Sequence, residues 1–92
     1  MKQLNLPGYS FKIKSKEQKK YIFDEIRKKF VLLTPEEWVR QNFIRYLVQE
    51  KHFSSQLMAV EMTLEYNRLS YRADAVAYNR QMQPVLIVEC KA

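Results

Sequence analysis

The sequence predicts a small α+β domain, one amphipathic helix packed on an antiparallel β-meander. Three observations carry that prediction. A helix-start signal at Thr34 opens a stretch with apolar residues at helical spacing. Met58, Val60, Met62 and Leu64 then alternate with Ala59, Glu61, Thr63 and Glu65, which is the period of a strand with one buried face. Val85-Leu86-Ile87-Val88 is continuously apolar, which predicts a strand buried on both faces.

Ninety-two residues make one domain. A chain of this size buries only about 60% of its unfolded surface, so its core is modest. Hydrophobic residues make up 47% and charged residues 28%, with one glycine and three prolines, which argues against linkers and low complexity.

Taking the elements in order, Pro7-Gly8 marks a turn and Phe11-Lys12-Ile13-Lys14 alternates as a short strand. Residues 16–30 carry two signals. Ile22, Ile26 and Phe30 recur at helical spacing, while Tyr21 and Phe23 alternate. The expectation is a hairpin of residues 11–14 with 20–23, followed by a helical turn through Ile26. Thr34-x-x-Glu37 reads as a capping box, Pro35 suits the first helical position, and Leu33 and Trp38 sit at the positions of a hydrophobic staple. Val39, Phe43, Tyr46 and Leu47 form the apolar stripe, with Arg40, Gln41 and Arg45 largely on the solvated side. The helix is expected from residue 35 to about 51, with 52–55 as a loop. Asn67-Arg68 forms a turn between the first core strand and a second over residues 70–78, and 79–83 is a polar loop. The chain therefore divides into a basic hairpin region, 1–33, and a helix plus three-stranded core, 34–92. Trp38, Tyr71 and Tyr78 are expected in the core or at its rim.

No apolar stretch approaches the ~18 residues of a membrane span, and the N-terminus shows no apolar signal-peptide segment. With a single cysteine, Cys90, an internal disulfide is excluded. The expected location is the cytoplasm, with no membrane partner. Residues 1–29 hold nine basic and three acidic residues and so carry the entire net charge of +6. That asymmetry suits contact with a phosphate backbone and also suits a solvated, solubilising surface.

The residues that point to chemistry are Asp74 and Glu89-Cys90-Lys91. Glu89 and Lys91 share a strand face with Val85 and Ile87, while Asp74 shares one with Arg72, Val76 and Tyr78. A loop that pairs Tyr78 with Val85 puts Asp74 directly across from Glu89, with Cβ atoms ~5 Å apart. Two ionised carboxylates so placed repel by about 3 kcal/mol at an effective dielectric of 20. A divalent cation with a taste for hard oxygen, Mg²⁺ or Mn²⁺, would compensate them and leave room for a phosphate. Lys91 would then reach the water or the phosphate. The same residues also read as a solvated pair at a sheet edge, with Asp74 neutralised by Arg72 or another cation. Glu-x-Lys alone is weak, since Glu17-Gln18-Lys19 repeats it in a lysine-rich polar stretch.

The wider string is more specific. Ile26-Arg27-Lys28-Lys29, Leu33-Thr34-Pro35-Glu36-Glu37-Trp38-Val39-Arg40-Gln41, Tyr46-Leu47, Val60-Glu61, Tyr71-Arg72-Ala73-Asp74 and Pro84-Val85-Leu86-Ile87-Val88-Glu89-Cys90-Lys91-Ala92 follow one another in order, in a stretch from about residue 20 to residue 92. Together they resemble the PD-(D/E)XK nuclease superfamily, and within it the N-terminal nuclease domain of type I restriction enzyme R subunits. The resemblance implies a restriction-endonuclease-like core and Mg²⁺-dependent hydrolysis of DNA phosphodiester bonds. It implies metal ligation by Asp74, Glu89 and the backbone carbonyl of Cys90, with Lys91 orienting or activating water. It adds Glu37 as a helix acid near the metal, although Glu37 also completes the capping box. It implies DNA, other restriction-modification subunits or a second copy of the chain as partners. The family continues past the lysine with a helix and another strand, so the resemblance also implies a domain truncated at its C-terminus, its third strand left with an open edge. A non-catalytic DNA-binding or interaction module retaining the fold is the alternative. His52 stands alone, and Cys90 has no histidine positioned to activate it.

Overall fold

The computed structural model describes residues 8–89. Two three-stranded antiparallel sheets flank one helix. The first sheet is β1 (Ile13–Lys16), β2 (Lys19–Asp24) and β3 (Lys29–Leu32), in that spatial order. The helix α1 (Pro35–Gln49) follows, then one 3-10 turn at Ser55–Leu57. The second sheet is β4 (Met58–Tyr66), β5 (Leu69–Tyr78) and β6 (Pro84–Val88), a meander in the expected order.

The N-terminal region contains a strand that the sequence conceals. The hairpin forms, shifted to Ile13↔Ile22 through Lys16↔Lys19, and the helical turn expected around Ile26 is a single turn, closed by the Lys28 N–H donating to the Asp24 carbonyl at 2.8 Å, that leads into β3. Alternation wins over the fourfold spacing because Ile22 and Val31 are register partners on the inward face, and Phe23 and Phe30 pair on the outward one. Asp24 makes the turn by accepting the backbone N–H groups of Ile26 and Arg27 at 2.7 and 2.8 Å.

The helix starts where the sequence places it. Thr34 has extended backbone, and its hydroxyl accepts the Glu37 N–H at 3.0 Å, with Pro35 at the first position. The reciprocal half of a capping box is not made: the Thr34 N–H donates to the Leu32 carbonyl instead, which frees the Glu37 carboxylate. α1 changes what it buries along its length. Its C-terminal half packs Ile44 and Leu47 against Met58, Ala75, Ala77 and Val88. Its N-terminal half buries Glu37, Arg40, Gln41 and Asn42. The solvated face expected for Arg40 and Gln41 is therefore wrong. The buried stripe is rotated towards the polar side of the helix, and the apolar Val39, Phe43 and Tyr46 are only half-buried.

The β4–β5 hairpin closes through Asn67-Arg68, both left-handed (φ 51° and 64°), as a two-residue turn between right-twisted strands favours. β6 is the edge of its sheet and is covered on one face only. Leu86 and Val88 meet the helix-side core, while Val85 and Ile87 are 53% and 55% exposed, so burial on both faces is overturned. Tyr71 is likewise exposed rather than core, whereas Trp38 and Tyr78 lie half-buried at the rim. α1 also ties the first sheet to the second. On the first-sheet side Trp38 meets Phe11 edge-on at 5.7 Å, and Arg45 stacks over the Phe11 ring while donating to the Ser10 carbonyl.

Candidate functional site

The polar half of α1 is the centre of a charged network that joins both sheets. Asp24, at the end of β2, is 1% exposed. Its carboxylate accepts Arg27 Nε at 2.6 Å and Gln41 Nε2 at 2.9 Å in addition to the two backbone N–H groups. Burial pushes this carboxyl up, but hydrogen bonds from Arg27 and Ile26 together with the Arg27 charge outweigh it and hold it below the ordinary carboxylate range. Arg27 shows the mirror case. Burial lowers it, and its bonds to Glu37 and Asp24 more than restore it, so it stays charged with a raised pKa.

Glu37 extends the network. Its Oε1 accepts Arg27 Nη2 at 2.9 Å and Arg40 Nη1 at 3.1 Å, and its Oε2 accepts Gln41 Nε2 at 2.9 Å. Arg40, 3% exposed, fans out from there. Its Nη1 reaches Glu61 at 3.2 Å, and its Nη2 reaches Asp74 at 3.2 Å and Glu36 at 3.4 Å. One guanidinium thus faces carboxylates from the helix, from β4 and from β5.

Glu61 enters this network through an unusual backbone. It has φ 54° in the middle of β4, between the pairs Val60↔Ala75 and Met62↔Ala73. A left-handed residue there interrupts the ladder without changing its register and costs of order 1–3 kcal/mol. Its carboxylate meets Arg40 and Arg72, the latter at 3.3 Å. Glu61 is thus an exposed residue that also pairs with two arginines.

The β5–β6 hairpin holds the sequence-derived candidates. Tyr78 pairs with Pro84 rather than Val85, through an irregularity at the loop end. Beyond it Ala77↔Leu86, Val76↔Ile87 and Ala75↔Val88 run in the expected register, and Asp74 and Glu89 are the residues next to the last of these pairs. Glu89 is exposed and lines an open groove of about 500 Å³ with Leu64, Tyr71, Arg72, Ala73 and Ile87. Arg40 pairs with Asp74, and Arg72 pairs with Glu61. Glu89 faces open solvent, whereas Asp74 is half-buried and bonded to Arg40. Glu37 shares the Arg40 guanidinium with Asp74, and its oxygens are engaged by Arg27, Arg40 and Gln41. Among the described residues no three His, Cys, Asp or Glu side chains group as a metal site. Cys90 and Lys91 lie outside the described residues.

Sequence reasoning missed Asp24, Arg27 and the inward-facing Arg40 and Gln41. The available signal was parity: Asp24 shares a strand face with Ile22, and Arg40 and Gln41 share a helix face with Glu37 and Ile44.

No helix among the described residues is long and apolar enough to cross a membrane. No curated protein and no solved structure matches the chain. The family model of the type I restriction enzyme R protein N terminus (HSDR_N) matches residues 35–92, from the first residue of α1 through the whole second sheet. With more than half of its length inside that match, the chain belongs to the type I restriction enzyme R protein N-terminal family.

Proposed function

We propose that this chain is a Mg²⁺-dependent DNA endonuclease domain of the PD-(D/E)XK type, acting in restriction-modification in the cytoplasm. The observation that supports it best is the β5–β6 register, whose last pair, Ala75↔Val88, immediately precedes Asp74 and Glu89 within the segment the family covers. In this reading Asp74, Glu89 and the Cys90 carbonyl hold the cation. Once bound, it supplies positive charge at the phosphoryl oxygens and a water of lowered pKa. Lys91 positions the attacking water. Arg40 fixes the Asp74 carboxylate from the helix side, and Glu37 in turn fixes Arg40. Glu37 thereby acts as a positioning residue rather than a metal ligand. The test is cleavage of supercoiled plasmid with Mg²⁺ or Mn²⁺. Lys91→Ala and Asp74→Asn are expected to be inactive with their fold intact; Lys91→Ala cutting as fast as the parent protein would sink the mechanism.

A second reading, a non-catalytic DNA-binding or interaction module for other restriction-modification subunits or a second copy, has its own support. A guanidinium already neutralises Asp74, and among the described residues no three His, Cys, Asp or Glu side chains group as a metal site. Magnesium titration separates the two readings. Saturable binding abolished by Asp74→Asn favours the enzyme, and DNA binding indifferent to that substitution favours the module.

A further inference from the structure

We propose that the outward face of the β1–β3 sheet, which lies ahead of the family-matched segment, is a sequence-independent docking surface for the phosphate backbone of duplex DNA. The register fixes which residues face out. Ile22 and Asp24 are buried, so the alternate positions, Lys14, Lys16 and Lys19 with Tyr21, Phe23, Phe30 and Leu32, form the outer face. Lys12 continues the column, its carbonyl accepting the Phe23 N–H at 2.9 Å. Four exposed lysines thus stand on one face that carries no acid on its strands, and none of the four has an ion-pair partner among the described residues.

Solubility alone does not account for this pattern. A solubilising surface intersperses the two signs, whereas here Lys16 and Lys19 are direct cross-strand partners, an arrangement that repels. Lysines two apart on a strand repeat every ~6.7 Å, close to two phosphate rises of one DNA strand. Aromatic rings hold two of them upright. The Lys12 ammonium lies 5.4 Å from the Phe23 ring centroid, and the Lys14 ammonium lies 4.3 Å from that of Phe30. Preorganised side chains lose less freedom when an anion binds. The rings are half-buried beneath the lysines, and Leu32 is the one large apolar residue of this face that is well exposed. A bilayer-inserting surface needs a broad apolar face instead, so the charge complementarity is to a rigid polyanion.

This surface stands or falls independently of cleavage, so binding is measured in EDTA with the full chain and a fluorescent duplex of arbitrary sequence, by anisotropy across a salt series. Each phosphate contact contributes about −0.9 to the slope of log affinity against log salt, so four lysines give affinity falling on the order of 100-fold between 50 and 200 mM salt. The variant Lys12→Gln, Lys14→Gln, Lys16→Gln, Lys19→Gln is expected to lose at least about tenfold in affinity and most of that slope. The smaller pair Lys16→Gln, Lys19→Gln removes the repelling partners and is expected to unfold no more easily than the parent while losing about half of the slope. A control, Lys28→Gln, Lys51→Gln, Arg68→Gln, Arg80→Gln, removes the same charge elsewhere. Equal weakening by the control overturns the proposal. So does binding to phosphatidylserine vesicles without binding to the duplex.

Discussion

Replacing Arg40 by methionine tests the core of the structural argument. Methionine keeps the packing of the aliphatic stem and removes every donor. The guanidinium touches four carboxylates, and they are not equivalent. Glu36 and Glu61 side chains are 55% and 42% exposed, and pairs with them contribute ~0–1 kcal/mol. Glu37 is 9% exposed, and removing one partner of a buried pair costs about 3–5 kcal/mol because the remaining charge loses compensation. Arg27 and Gln41 still bind Glu37, so the lower end applies, a loss of about 3 kcal/mol. For a chain of this size that lowers Tm by about 12–24 °C. Urea denaturation followed by circular dichroism measures it directly, with the slope of the transition checked for two-state behaviour. A double-mutant cycle with Glu37→Gln isolates the pair, and a coupling of ~1 kcal/mol or more is expected between residues sharing one network. A loss below about 1 kcal/mol with no coupling would refute the argument, returning Arg40 to the solvated helix face that the sequence alone predicts.

Asp24 governs acid stability. Its folded pKa lies below the unfolded value of ~3.9, so its contribution is present above that value and is lost as pH falls through the folded pKa. Asp24→Asn is expected to be less stable at neutral pH by roughly 3 kcal/mol and to flatten the acid limb of the stability–pH curve, read by urea midpoints between pH 2 and 7; parallel curves for the two proteins would count against it. Glu61 carries backbone strain that only glycine relieves, so Glu61→Gly is expected to be more stable than Glu61→Ala by about 1 kcal/mol although both lose the carboxylate. The reverse order in thermal melts would show that β4 is not left-handed at that residue.

The second sheet was legible because its burial is one-sided and its turn chemistry is local. Alternation from Met58 and the left-handed pair Asn67-Arg68 are short-range facts, and they located β4 and β5 to within a residue. The β5–β6 register survived a wrong loop pairing because the hydrogen-bond ladder absorbs the discrepancy at Tyr78. The first sheet was less legible because Ile22, Ile26 and Phe30 satisfy a helical period by coincidence, and without a settled period the parity that turns Asp24 inward could not be used. The helix misled in a different way. Apolar residues define a predicted stripe, but burial follows satisfied interactions, and Arg40 and Gln41 are buried because Asp24, Glu37 and Asp74 are there to meet them. Two of those three acids come from distant segments, so no local pattern announces them. β6 reads as buried on both faces from its composition, yet α1 covers only the face of Leu86 and Val88.

The same guanidinium bears on the proposed metal site. Two carboxylates opposite each other across β5 and β6, as the proposal has Asp74 and Glu89, would need positive charge, and Arg40 supplies part of it to Asp74 from 3.2 Å. Arg40 is held there by Glu37 and Glu61, so the compensation is built into the fold and cannot swing away as a surface lysine would. A divalent ion bound by Asp74 and Glu89 would stand within about 6 Å of it, allowing for an Mg–O distance of ~2.1 Å. The repulsion is then roughly 1.4 kcal/mol in the aqueous limit and about 5.5 kcal/mol at an effective dielectric of 20. Even the smaller figure is about tenfold in affinity. Arg40→Met is therefore expected to bind Mg²⁺ at least tenfold more tightly than the parent while being the less stable protein, two effects of opposite sign from one substitution. Calorimetric titration at low temperature, where the variant remains folded, reads the first effect separately from the second. Unchanged affinity would place the ion beyond the reach of Arg40, and Asp74 would then be a structural partner of the helix rather than a ligand.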